Sequence, residues 1–369
     1  MSDLAPAARV PLLVLGFVAL ALGAAGGLAR LGFELPAPAA GIAWHGALMA
    51  SAFFGTLIAL ERAVAIGQRW AYAAPAASGA GGIVLLLGQP GPAFALFVGS
   101  AAVFVAVSAS IFLRQRALHT GLLGLGTLAL LAANGALAAG ASIESVAPSW
   151  LAFFVLTIGG ERLELSRLVP VPRAARIAFA AIAVALLAAA LAAFFAAEPA
   201  MSMAGLLMIA CSLWLARYDI AMRTVRAKAL TRYIALCLLA GYVWLAVGGA
   251  ALAWGGGVMA GRLVWDLALH AILIGFVFSM VFGHAPVILP AVLRIAFPYR
   301  AALYVPLAAL HLTLALRVAG DIGASASLRA AGGAGNVASI ALFIVTAAAL
   351  VISGGIRKRD KRVEAGRAA

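Results

Sequence analysis

The stretch WHGALMASAFFGTLIALERAVAIG, residues 44–67, decides how the chain is read. It is apolar enough to sit in lipid except at two places, His45 near its start and Glu61-Arg62 near its end. A spanning helix needs roughly 20 mostly apolar residues to cross about 30 Å of hydrocarbon, and this run meets that length. The rest of the sequence agrees with it: 65% of the 369 residues are hydrophobic and 10% charged, whereas soluble domains carry about 25% charge. Backbone polar groups in lipid must be satisfied within the spanning element, so long apolar runs imply helices. The expected fold class is an all-α integral membrane protein.

Breaks at proline, glycine and charge clusters divide the chain into twelve expected spans, at 10–31, 40–60, 71–88, 93–113, 118–140, 149–168, 175–197, 200–216, 230–253, 262–285, 299–317 and 332–354. The cations give an independent count, because cytoplasmic loops collect Lys and Arg. With the N-terminus inside, 22 of the 26 cations fall on the inner side, and Arg30, Arg262, Arg317 and Arg329 fall outside. An even number of spans, both termini cytoplasmic and a plasma (inner) membrane location follow as expectations. The opening, MSDLAPAARVPLLVLGFVALALGAAGG, has the charge order of a secretory signal, but its apolar run is long enough to be the first span. The net charge of +14 follows the inner face, where anionic lipid attracts it, so the bilayer and not nucleic acid is the expected partner. Cys211 and Cys237 lie in apolar runs without metal-type spacing and read as small core residues.

One membrane domain is expected over 1–356, with a basic cytoplasmic tail at 357–369. An offset of one hundred residues places Phe53-Phe54 over Phe153-Phe154, Ile58 over Ile158, and Glu61-Arg62 over Glu161-Arg162. A third run, FVFSMVFGH, places Phe276 eight residues before His284, as Phe53 stands eight before Glu61. The marked spans are the second, sixth and tenth, so three four-helix units near 1–116, 117–228 and 229–356 are expected.

Depth sorts the histidines. At 1.5 Å per residue, His45, His270 and His311 sit roughly 6–10 Å below the outer face, while His284 shares the inner level of Glu61, Arg62, Glu161 and Arg162; His119 lies at the inner start of the fifth span. Neutral imidazole in lipid either brackets helices by hydrogen bonds or ligates a metal, haem iron and copper being well suited to it. Gly41, Gly46, Ala47, Ala50 and Ser51 around His45 leave room for a flat macrocycle or for a close neighbouring helix. In the inner layer, Glu and Arg either pair within each helix end or across to one another, and serve as interfacial anchors or as a proton entry with His284 and Glu164. Arg317 and Asp321, four residues apart, are expected to form a salt bridge or a clamp for a cofactor carboxylate.

The twelve-span layout, with a histidine at the outer start of the second helix and another in the tenth, resembles subunit I of the haem-copper oxidases, a ring of three four-helix arcs. More closely, WHGALMASAFFG, LHAILIGFVFSMVFGHAP and LYVPLAALHLTLALRV resemble the NnrS family, membrane proteins that contain haem and copper and are tied to nitric oxide stress. The resemblance implies haem held by His45 and His270; with haem b there, the depth of His311 makes it either a second metal position, copper included, or a hydrogen-bond partner of a haem carboxylate, and Arg317 a clamp for one. It also implies nitric oxide or a redox partner. The histidines that oxidases use for copper in the sixth and seventh helices are absent here, so dioxygen reduction is not expected and enzymatic activity stays open. The competing expectation is a proton-coupled secondary transporter built on the inner charged layer, although the repeats fall at four-span and not six-span intervals.

Overall fold

The computed structural model describes residues 3–165, 170–255 and 261–367, with side chains as far as residue 354. The described residues are all helical, without strands, and eleven helices among them are long and apolar enough to cross a membrane. These are α1 (Pro6–Ala29), α2 (His45–Ile66), α4 (Pro90–Arg114), α5 (Leu118–Ala138), α6 (Ile143–Leu165), α7 (Arg173–Ala192), α8 (Ala197–Tyr218), α9 (Ala229–Gly255), α10 (Arg262–Leu293), α11 (Tyr304–Ile322) and α12 (Ala326–Arg367). Between α2 and α4 lies α3 (Ala73–Leu86), a helix of 14 residues that falls short of that length. Two expected features lie outside the description: Arg167, and the side chains of the cations from Arg357 to Arg367.

Local chemistry sets the helix ends. Pro6 and Pro90 stand in the first turns of α1 and α4, where a missing N–H costs no intrahelical bond. Gly67, at φ +66°, closes α2 in the left-handed conformation. Two prolines behave otherwise than their sequence positions imply. α10 was expected to end at 285, ahead of Pro286, yet it runs through Pro286 and Pro290 to Leu293. α6 likewise starts six residues earlier than expected and carries Pro148 inside it. Membrane helices tolerate such prolines because neighbouring helices and local changes of helix type re-satisfy the freed backbone groups.

Helices adjacent in sequence pack side by side, α1 reaches α10 and α12, and α2, α6 and α10 meet in the middle. Lipid gives no hydrophobic force between helices, so close backbone approach and interior polar bonds carry the association. A Cβ on Gly205 of α8 would stand 2.5 Å from the Gly249 carbonyl of α9, so only glycine allows that crossing. Asn134 is the interior polar bracket: its Oδ1 accepts from Ser51 at 2.6 Å and from Trp150 Nε1 at 3.3 Å, and its Nδ2 donates to the Phe97 carbonyl at 3.1 Å. That one side chain joins α2, α4, α5 and α6.

The repeated Phe pairs meet at the centre. Phe54 stands edge-on to Phe154 with ring centres 4.9 Å apart, and Phe278 stacks on Phe53 at 6.0 Å and meets Phe54 at 5.2 Å. The aromatic that α10 contributes is therefore Phe278, not Phe276, which is buried toward Tyr242 of α9. α10 is π-helical over Ala271–Phe278 and α2 over Leu48–Phe54, and a π segment rotates the residues after it relative to the α-helical register.

Candidate functional site

Two sets of polar side chains stand at opposite ends of this aromatic centre. The outer set begins with His45, the first residue of α2. The chain turns sharply at Trp44 between the short helix Ala39–Ala43 and α2, which aims the imidazole at α1. His45 Nδ1 lies 2.6 Å from the Gly23 carbonyl, and a Cβ on Gly27, one turn on, would come within 2.9 Å of the ring. Glycine at 27 is thus the recess into which the imidazole fits.

His270 closes the α-helical part of α10, and the π segment begins at the next residue. Its Nδ1 lies 2.8 Å from the Asp266 carbonyl. Both histidines face a carbonyl oxygen through Nδ1, so Nδ1 carries the proton in each and Nε2 keeps its lone pair. Metal-ligating histidines have this arrangement, since the donated N–H fixes tautomer and ring orientation. Arg317 and Asp266 act electrostatically on both imidazoles. In each of the two helices, a π segment follows the histidine within three residues, and π segments concentrate at functional positions.

Arg317 does reach this set, but not with the expected partner. Its guanidinium grips the Asp266 carboxylate with Nε and Nη2 at 2.8–3.1 Å, while Asp321 lies 2.8 Å from Arg329 Nε. The expected pair of Arg317 with Asp321 is corrected on physical grounds. Gly332 and Gly333 of α12 press against the Arg317 backbone and guanidinium, and the side chain turns to α10.

His311 is also corrected as a metal position. Trp244 Nε1 donates to its Nδ1 at 2.9 Å, so the ring proton is on Nε2, which is buried without a partner. Neither nitrogen offers a free lone pair while that bond holds. Among the described residues no three His, Cys, Asp or Glu side chains gather as a metal group.

The inner set is built by cross-pairing. Arg62 of α2 forms a short ion pair with Glu161 of α6. Arg162 turns the other way and holds Asp219, past the end of α8, through Nε at 2.7 Å and Nη2 at 3.3 Å. His284 donates Nδ1–H to the Met280 carbonyl at 2.8 Å and sets Nε2 3.4 Å from Arg162 Nη1. Of the alternatives open at the sequence level, the pairing runs between helices and not within each helix end. Glu164 stands 3.8 Å from His119 rather than joining Glu161. Asp266 and Asp219 are the residues that sequence reasoning missed; each has an arginine partner more than fifty positions away, and for Asp266 the i,i+4 spacing to His270, whose Nδ1 lies 3.3 Å from its carboxylate, was the available signal.

No curated protein and no solved structure matches the chain. A family model described as Domain of unknown function (DUF8744) matches residues 9–352, and the chain belongs to that family.

Proposed function

We propose that this is a haem-binding multi-pass membrane protein of the inner membrane, with His45 and His270 as the two imidazoles and a role in nitric oxide handling or electron transfer. The observation that carries the reading is the shared tautomer: two half-buried histidines on different helices each spend Nδ1–H on a carbonyl and keep Nε2 for a ligand. The donor chemistry suits iron of b-type haem, and the Gly27 recess seats one of the rings. Haem bound there would supply a one-electron couple or, after loss of one imidazole, an open position for nitric oxide. The likeness of the three quoted segments to NnrS points the same way.

The reading takes all twelve helices, α3 included, as spans with both termini inside and as three four-helix arcs. The placement of 22 of 26 cations and the meeting of α2, α6 and α10 support it. The test is the absorption spectrum of protein purified in mild detergent, oxidised and reduced. A Soret band that is lost in both His45→Ala and His270→Ala supports the assignment; a band unchanged by both substitutions, or none in haem-supplemented material, refutes it.

A further inference from the structure

The haem reading leaves unused a cavity of about 380 Å³ on the inner side of the aromatic centre. It is a half-open cleft bounded by α1, α2, α6, α10 and α12, and its walls are almost wholly apolar, with Phe53, Phe54, Phe154 and Phe278 forming one side. Four polar side chains line it: Glu61, Thr157, Glu161 and His284. Two of these are occupied, Glu161 by Arg62 and His284 by the Met280 carbonyl and Arg162. The other two are not. Among the described residues nothing donates to the Glu61 carboxylate; the Thr157 hydroxyl also has no hydrogen-bond partner, but it faces Gly126 of α5 and not the cavity.

Charge then selects the ligand. Around the polar end stand three carboxylates, Glu61, Glu161 and Asp219, against two guanidiniums, Arg62 and Arg162. His284 adds no positive charge while its Nε2 faces a guanidinium N–H. One negative charge is uncompensated, and Glu61, half-buried, carries it at an apolar wall where an unpaired ion is costly. The Glu61 carboxylate accepts hydrogen bonds, and phenyl faces attract cations. We propose that the cavity binds a protonated lipophilic amine, with the ammonium group toward Glu61 and the apolar body among the phenyl rings. The inference goes beyond the haem reading and does not rest on it.

The experiment is equilibrium binding of 4-phenylbutylammonium to the detergent-purified full chain, beside its neutral twin 4-phenylbutanol and its anionic twin 5-phenylpentanoate. The expected result is saturable binding of the ammonium compound alone, weakened tenfold or more by Glu61→Gln, retained by Glu61→Asp, and blocked by Ala347→Phe, which fills the cavity from α12. Monodispersity and helicity of each variant establish that it folds. Equal binding of the alcohol would make the cavity a lipid slot, and absence of saturable binding, or unchanged binding in Glu61→Gln, would overturn the proposal. The unsubstituted chain with the three twins already decides the matter if a variant does not fold. Repeating the titration on His270→Ala separates the site from the haem assignment, since binding is expected to persist there.

Discussion

Arg162 and Asp219 form an ion pair that neither lipid nor water reaches, their side chains being 3% and 0% exposed. The carboxylate is fully used: besides the guanidinium it accepts the Ala221 N–H at 2.6 Å, which starts the short helix Ala221–Thr224 after α8. A single side chain of α6, the most enclosed of the spanning helices, thereby holds the inner end of α8 and reaches His284 of α10.

Breaking that pair from one side is expected to be severe. Asp219→Ala leaves a buried guanidinium without a counter-charge, and removal of one partner from a buried pair costs about 3–5 kcal/mol. Thermal unfolding in detergent checks this, with a large drop in Tm expected. The double variant Arg162→Leu/Asp219→Leu is expected to recover most of the loss, because replacing both ions removes the stranded charge.

Asp266 has a milder and more specific role. It holds Arg317 by two donors and tethers His270 through its own backbone carbonyl. Asp266→Asn keeps the carbonyl and so keeps the imidazole, but takes a charge from Arg317; a charged hydrogen bond of this kind is worth about 1.5–3 kcal/mol. The variant is expected to retain haem, with a midpoint potential higher than that of the unsubstituted chain, since a nearby anion favours the ferric state. A redox titration showing no change would separate Asp266 from the haem.

How much of this was readable beforehand follows from what each signal reports. The repeated FF and ER marks of α2 and α6 were legible, and they do converge at Phe54–Phe154 and Arg62–Glu161. The partners of the arginines were not. Spacing along a helix says which residues are neighbours on it, and so it offered Asp321 to Arg317; the glycines of α12 that turn Arg317 toward α10 act only in the packed bundle. Asp219 carries no local pattern, and the i,i+4 spacing of Asp266 with His270 says nothing of its distant partner Arg317. Proline misled for a related reason, because Pro286 and Pro290 look like a helix end where the surrounding helices carry α10 past them.

The recess at Gly27 gives a test of His45 that leaves the imidazole in place. A Cβ there would stand 2.9 Å from the ring, closer than packing allows, and valine would add two methyl groups. Gly27→Val is expected to push the ring off the Gly23 carbonyl and release its tautomer, lowering haem content several-fold. Helicity by circular dichroism should be nearly unchanged. If haem content stays at the level of the unsubstituted chain, His45 does not need this seat.

The crossing of α3 can be tested by the side on which its two ends lie. Alone, its 14 residues rise about 21 Å at 1.5 Å each. The 3₁₀ turn Arg69–Tyr72 runs directly into it, and four residues at about 2.0 Å each add about 8 Å. Together they approach the roughly 30 Å of hydrocarbon, and the helix is shielded by α1, α2 and α4 along the way. Arg69 and Gln89, at the two ends, are exposed, whereas the native Cys211 and Cys237 are buried and give a silent background. Arg69→Cys is expected to react with a membrane-impermeant maleimide only after the cells are opened, and Gln89→Cys in intact spheroplasts. Labelling of both from one side would mean that α3 turns back within the membrane, leaving an odd number of crossings and placing the two termini on opposite faces.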